Sequence, residues 1–222
     1  MQTQRAFIFA NGSLAEPEFI LKLLTPTDML IAANGGSKHL SALGLIPHIL
    51  IGDFDSLDED ILSKQGIMFF RHKPEKDETD LELALLYAHK QKVEEILIFG
   101  ALGGRWDMCL ANILLLANPI FHENLLSIPS IKIMEHNQEL SLITQHSPYK
   151  IHGSRGDTIS LLPISTYVEG VLTQGLHYPL NEERLRLGTT RGISNLMLAE
   201  QALVQIQNGL LLCIHTYPSL NC

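Results

Sequence analysis

Four aspartates fall into two spaced pairs. Asp53 and Asp55 stand two apart in IGDFDSLDEDI (51–61), and Asp77 and Asp80 three apart in KDETD (76–80). An extended backbone points residues two apart to the same side. A helical first turn brings residues three apart together. Four carboxylates in one crevice repel each other and raise each other's pKa values. A divalent cation resolves that repulsion. Hard oxygen ligands with open positions suit Mg²⁺, which keeps several waters and binds phosphates. Each pair taken singly also has a plainer reading, since aspartate is a common cap at a strand end or helix start. Asp58, Glu59 and Asp60 read as the acidic first turn of a helix.

A second constellation is GALGGRWDM (100–108). Its glycine pair lets the backbone come close to a phosphate, and the helix that follows offers free N–H groups. Arg105 adds a fork of donors. The Gly-Lys-Ser/Thr ending of a P-loop is missing, and so is the dinucleotide fingerprint. Asp107 also reads as the N-cap of that helix. LGTTRGISN (187–195) is polar and glycine-bearing, and by itself reads as a hairpin loop. The ten histidines show no metal-ligand spacing. Trp106 reads as cover for the sheet edge and Cys109 as helix core.

These residues need elements to position them. The first half alternates strand-like and helix-like pieces. Strands are expected in RAFIFA (5–10), DMLIAA (28–33), HILIGDF (48–54), GIMFFR (66–71) and EEILIFGAL (94–102). Helices are expected in EPEFILKLL (16–24), GSKHLSALG (36–44), DEDILSKQ (58–65), TDLELALLYAHKQ (79–91) and DMCLANILLLA (107–117). Pro17 opens the first helix, and Thr79 and Glu82 have capping-box spacing. Such alternation means a parallel sheet covered by helices. In an open sheet of that kind, ligands bind at the carboxyl ends of the strands. Asn34, Gly35 and Gly36, the Asp53/Asp55 pair, the KDETD segment and the Gly103–Asp107 segment all follow expected strands. Four loops then share one edge.

After about Pro129 the rhythm changes to short runs between turn residues: IKIMEH, ELSLIT, YKIHG, TISLLPI, YVEGVLTQGL and ALVQIQ. Asn208-Gly209 between two apolar runs is a hairpin signal. Short strands at this spacing suggest an antiparallel sandwich or barrel. The expected organisation is an α/β domain over 1–128 and a β-sandwich over 129–222.

The 222 residues are 45% hydrophobic, which supports a packed core. A net charge of −8 argues against nucleic-acid or anionic-membrane binding. Three distant cysteines make no disulfide framework or zinc spacing, which suits a reducing cytoplasm. The N-terminus is too short and polar for a signal peptide, and the longest apolar stretch falls short of a membrane span. The expectation is a soluble cytoplasmic protein.

Taken together, GDFDSL, KDETDLELAL, GGRWD and GTTRGISN, in this order and over nearly the whole chain, resemble the thiamin pyrophosphokinase family. The resemblance implies transfer of a pyrophosphoryl group from ATP to the hydroxyl of thiamin, giving thiamin diphosphate and AMP. It also implies Mg²⁺, and a homodimer whose sites lie between the α/β domain of one subunit and the β-sandwich of the other. Asp53, Asp55, Asp77 and Asp80 match the acidic metal positions. Asp55, Asp77, Asp80 and Arg105 carry the catalytic expectation, with Asp80 or Asp55 orienting or deprotonating the hydroxyl. Asn34, Gly35, Thr79, Gly103, Gly104, Arg105 and Asp107 match the ATP site, and Ser194 and Asn195 the thiamin segment. Two departures stand out: Asn34 replaces an acid, and Met108 a histidine. A pyrophosphokinase for another alcohol, such as a hydroxymethylpterin, and a non-catalytic thiamin or nucleotide binder are the alternative readings.

Overall fold

The computed structural model describes residues 5–14, 16–55, 65–73, 75–122, 129–145 and 148–218. They form two units, Met1–His136 and Asn137–Cys222. Asp58, Glu59 and Asp60, with the helix expected there, lie outside the described residues.

Six strands of the first unit pair in parallel. They are β1 (Arg5–Phe9), β2 (Met29–Ala33), β3 (Ile49–Gly52), β4 (Met68–Arg71), β5 (Glu95–Phe99) and β6 (Ser130–Glu135), in the order β6-β5-β1-β2-β3-β4. Strand β3 is buried at every residue, as expected for an apolar run covered on both faces. The rings of Phe7 and Phe9 stack on Phe99 at 5.6 and 5.4 Å between centroids. Those contacts tie β1 to β5 at the centre of the core.

The helices are α1 (Pro17–Leu23), α2 (Ser37–Ala42), α3 (Asp80–Lys90) and α4 (Trp106–Leu114). On α3 the buried residues are Leu81, Ala84, Leu85 and Ala88, a single stripe at helical spacing. Each fully buried leucine contributes about 2 kcal/mol. Thr79 caps this helix, its Oγ1 accepting from the Glu82 amide at 3.1 Å. The reciprocal half of the capping box is replaced, because Glu82 Oε1 accepts from Asn118 Nδ2 at 3.3 Å.

One expectation changes here. The IKIMEH run, read as opening the antiparallel half, forms β6 and pairs in parallel with β5. Its alternating burial suits either kind of neighbour. Pattern alone does not choose the partner strand.

The second unit is antiparallel. Strands β12 (Asn195–Leu196), β9 (Thr158–Pro163), β14 (Leu211–Thr216) and β7 (Gln138–Ile143) neighbour one another in that order. A second sheet runs β11 (Glu183–Arg186), β10 (Tyr167–Gln174), β13 (Gln201–Gln205), β8 (Tyr149–His152). Ile143, Ile159, Leu161 and Leu211 from one sheet share a core with Ile151, Val168, Val171 and Val204 from the other. This is the sandwich expected from the sequence.

The Asn208-Gly209 signal is corrected by this pairing. Strands β13 and β14 do not form a hairpin; they lie in different sheets. Both edges of β13 are already paired, with β8 and β10, so the chain must leave that sheet. The turn is held by its neighbours instead: Glu169 N donates to Asn208 O at 2.9 Å, and Leu210 N to Ser165 Oγ at 3.0 Å. Within this unit a buried pair, His215 Nε2 and Asp157 Oδ2 at 2.8 Å, fastens the turn before β9 to β14.

Among the described residues no helix is long and apolar enough to cross a membrane.

At the amino edge of the first sheet, Arg5 Nε and Nη2 donate to Asp28 at 2.9 and 2.7 Å. The Thr25 amide adds a bond of 2.7 Å to Asp28 Oδ2. Burial alone pushes the Asp28 carboxyl up, but the Arg5 guanidinium and the Thr25 amide together outweigh it and hold the carboxyl below its ordinary value of 3.8. A depressed carboxyl stabilises the fold above its unfolded pKa and loses that contribution as pH falls through the folded value. Asp28→Asn is therefore expected to cost about 2 kcal/mol at pH 7. In urea unfolding, the gap between wild type and variant should close as pH falls below 3.8.

Candidate active site

Strand order reverses between β1 and β5: the chain runs outward from β1 through β2, β3 and β4, and β5 returns to the other side of β1. Such a reversal opens a crevice at the carboxyl ends, because the loops on either side turn in opposite directions. A cavity of about 450 Å³ lies there. Asn11 and Gly12 after β1, Asn34 after β2, Gly100, Ala101 and Gly103 to Arg105 after β5, and Thr79 and Asp80 at the start of α3 form its walls.

Close packing makes this edge. The Gly12 amide donates to Gly100 O at 2.7 Å and the Ser13 amide to Leu102 O at 2.9 Å. His39 Nε2 bonds Gly12 O at 2.8 Å. Gly36 sits against β1 so tightly that a Cβ there would lie 1.8 Å from Phe9 O. Gly103 and Gly104 both take positive φ, 92° and 83°, a conformation that costs glycine little. They turn the chain into α4 with the backbone exposed.

Of the residues singled out from sequence, the cavity gathers Asn34, Thr79, Asp80, Gly103, Gly104, Arg105 and Met108. Gly35 is buried behind Asn34. Asp53 is joined to the wall through Asn34, whose Nδ2 donates to Asp53 Oδ1 at 3.1 Å. The Asp55 amide donates to the same oxygen at 3.2 Å. The side chains of Asp55, Asp77 and Asp107 are exposed and outside the cavity lining. Ser194 and Asn195 belong to the second unit. Ser194 is exposed, whereas Asn195 is buried with its amide bonded to the backbone of Tyr178, at 2.9 Å from N and 2.7 Å to O.

The backbone reasoning behind the two aspartate pairs is corrected. β3 ends at Gly52, and Phe54 turns left-handed with φ 68°, so Asp53 and Asp55 do not lie on one extended stretch. The bend buries the Phe54 ring against Phe69, 5.8 Å between centroids and edge-on. Asp77 precedes the Thr79 cap, so helical spacing does not relate it to Asp80. Among the described residues no three His, Cys, Asp or Glu side chains are grouped to hold an ion.

Charge at the site is balanced locally. Asp80 is ion-paired with Lys76. Arg105 pairs with Asp107 through two hydrogen bonds. That contact holds the Asp107 carboxyl below its usual range and the Arg105 guanidinium above its own.

The sequence reading missed Asn11, Gly12 and Asn112, all in the cavity wall. Asn11-Gly12 follows β1, so the strand-end rule that picked out the other loops applies to it too. Asn112 lies within a helix that reads as apolar and carries no local signal.

The sequence matches the family model described as thiamin pyrophosphokinase, catalytic domain, over residues 20–128. A second match, to its vitamin B1 binding domain, covers residues 145–211. A thiamine pyrophosphokinase of Bacillus subtilis (strain 168) is 30% identical over 190 residues, covering 84% of this chain and 86% of that protein. The chain belongs to the thiamin pyrophosphokinase family. A thiamine pyrophosphokinase of Oryza sativa subsp. japonica is 26% identical over 233 residues, 93% of this chain and 84% of the relative. The crystal structure of the Bacillus subtilis thiamine pyrophosphokinase superposes with a TM-score of 0.83 at 26% identity, covering 96% of this chain and 99% of that one. The thiamin pyrophosphokinase catalytic-domain match contains every cavity residue except those of the β1 loop. The vitamin B1 binding match contains Ser194 and Asn195.

Thr79 both caps α3 and lines the cavity, which separates its two roles experimentally. Thr79→Ala is expected to lower stability by about 1 kcal/mol, and Thr79→Ser to restore it, as read by chemical denaturation.

Proposed function

We propose that this protein transfers a pyrophosphoryl group from ATP to the hydroxyl of thiamin, giving thiamin diphosphate and AMP. The observation that carries the reading is the cavity at the strand-order reversal, with a Gly-Gly-Arg loop on one wall and Asp80 on another, in a chain of this family. Nothing observed favours a pterin alcohol or a binder without turnover.

Phosphoryl-type transfer asks the protein chiefly for positioning and charge neutralisation. The Gly103 and Gly104 amides and the Arg105 guanidinium meet phosphate oxygens, Arg105 exchanging Asp107 for the ligand. The thiamin hydroxyl oxygen bonds to the β-phosphorus, and the bond from that phosphorus to the α,β-bridging oxygen breaks. AMP leaves with the bridging oxygen. Asp80, in the cavity wall, takes the hydroxyl proton. Asn34, Gly35, Thr79 and Asp107 complete the nucleotide site. The donor chemistry fits Mg²⁺: the acidic residues offer hard oxygens, and such an ion needs only one or two carboxylates beside substrate phosphates. Asp53, joined to the wall through Asn34, and Asp80, in the wall, would hold it, with the exposed Asp55 and Asp77 of the expected set outside the lining. Bound there, it would neutralise charge on the triphosphate.

Thiamin is assigned to the second unit, where exposed Ser194 meets it and Asn195 supports the segment by holding Tyr178. The proposed assembly is a homodimer in which the α/β domain, 1–128, of one subunit and the β-sandwich, 129–222, of the other share each site. In its favour, Trp106, Leu110 and Leu114 lie four apart on α4 and are 81%, 58% and 54% exposed, an apolar stripe that asks for cover. A cytoplasmic location is consistent with Cys109 and Cys213, both free thiols.

Product identity tests the reaction. Chromatography of thiamin, Mg²⁺ and ATP mixtures should show AMP and thiamin diphosphate in equal amounts; ADP with thiamin monophosphate would overturn the reading. Asp80→Asn should lower kcat about 10²- to 10⁴-fold, with the unfolding midpoint little changed.

Shared sites have their own test. Asp80→Asn and Ser194→Ala chains, each impaired alone, should regain activity when mixed and allowed to exchange. A fully active monomer in sedimentation would refute the dimer.

A further inference from the structure

The loop after β1 lies outside the residues matched by the catalytic-domain model, yet Asn11 and Gly12 stand in the cavity wall. This loop is clamped to the one after β5. A Cβ on Gly12 would lie 2.3 Å from Leu102 O and 2.5 Å from Gly100 O, so only glycine fits that approach. Ser13 closes on the glycine pair in turn: a Cβ on Gly103 would lie 2.4 Å from Ser13 Oγ. The two loops therefore build one wall, and Asn11 borders the same space as Gly103, Gly104 and Arg105.

Asn11 is exposed, and among the described residues its side-chain amide forms no hydrogen bond. The amide is nevertheless seated. A Cβ on Gly35 would lie 2.3 Å from Asn11 Oδ1, 2.4 Å from its Cγ and 2.8 Å from its Nδ2. Gly35 is itself buried, so it meets the site through the amide that rests on it. In doubly wound sheets the turn after the first strand, at the reversal of strand order, approaches the pyrophosphate of a bound nucleotide. Phosphate oxygens accept, and an amide nitrogen offers two donors. We infer that Asn11 Nδ2 donates to a phosphate oxygen of the nucleotide beside the Gly-Gly-Arg loop, and that Gly35 lacks a side chain in order to seat it. The inference rests on the reading that this cavity binds ATP. Arg105 must leave Asp107 to meet a phosphate, whereas the Asn11 amide has no protein partner to leave.

Calorimetric titration of the full-length protein with ATP and Mg²⁺, thiamin absent, tests this directly. Asn11→Ala should weaken ATP binding about tenfold, with the unfolding midpoint little changed because the side chain is exposed. Asn11→Asp keeps the shape but replaces the donor with a carboxylate, so it should bind ATP more weakly than Asn11→Ala. Gly35→Ala puts a methyl group where the amide rests. It should weaken binding in the wild-type background and add little in the Asn11→Ala background. Wild-type affinity in Asn11→Ala, or Asn11→Asp binding as tightly as Asn11→Ala, would overturn the inference and leave the proposed reaction standing. Equal losses from Gly35→Ala in both backgrounds would overturn the seating role of Gly35. Failure of wild type to bind ATP at all would overturn both the inference and the reading beneath it.

Discussion

A parallel sheet buried on both faces leaves no room for a polar group except at its strand ends. In this chain the constraint is severe, since β3 is buried throughout and β1, β2 and β5 are buried beyond their first residue. Carboxylates, amides and guanidinium groups are therefore confined to the edges. The amino edge uses them for closure, with Arg5 and Asp28 locking the turn before β2. The carboxyl edge has the reversal of strand order between β1 and β5, so its loops part and leave a cavity. Position of the site follows from topology, before any side chain is considered.

Charge at the carboxyl edge is arranged for exchange. Arg105 and Asp107 are largely exposed, and exposed pairs of this kind contribute little to stability. Replacing Asp107 by a phosphate oxygen therefore costs little and gains a charge-assisted bond. Asp80 and Lys76 are more sheltered, at 23% and 16% side-chain exposure. Their pairing places a compensated carboxylate in the wall and removes much of the repulsion that four acids together would create. Four uncompensated aspartates, the picture suggested by spacing alone, would have demanded a cation simply to fold. Lys76 and the Asn34 amide relieve that demand.

Apolar rhythm made much of the fold legible. Continuous runs marked β1 to β5, and short alternating runs marked most strands of the second unit, though not the short β11 and β12. Other features were not legible, each for a physical reason. Strand β6 alternates in burial, and alternation is silent about whether the neighbour is parallel. Asn208-Gly209 correctly marks a turn, but whether a turn joins neighbours depends on edges that β8 and β10 had already taken. Residue spacing assumed regular backbone around the aspartates, whereas Phe54 breaks it to bury its ring. Site residues after β2 and β5 were found by the strand-end rule, which applies equally to the missed Asn11 and Gly12 after β1; Asn112, inside an apolar helix, could only be found by what surrounds it.

Backbone strain carries the argument one step further. A non-glycine residue with positive φ is uncommon, and for a bulky one it is a true outlier. Asn34, Phe54 and Ser194 all adopt it, at 42°, 68° and 55°, at a cost of about 1–3 kcal/mol each. Glu16, Lys92, His136 and Glu182 do so as well, but they lie beside helices or at the turns before β7 and β11, where a left-handed residue redirects the chain. The three others fall inside the AANGG, GDFDS and GISN segments. Each is pinned by a specific contact: Asn34 by Asp53, Phe54 by Phe69, and Ser194 by its amide bond to Ser160 Oγ at 3.1 Å. Strain persists only where the surroundings over-determine it. Relaxing Phe54 to an extended conformation would expose its ring and redirect Asp53 and Asp55, so the geometry of the acidic loop depends on an aromatic side chain that itself performs no chemistry.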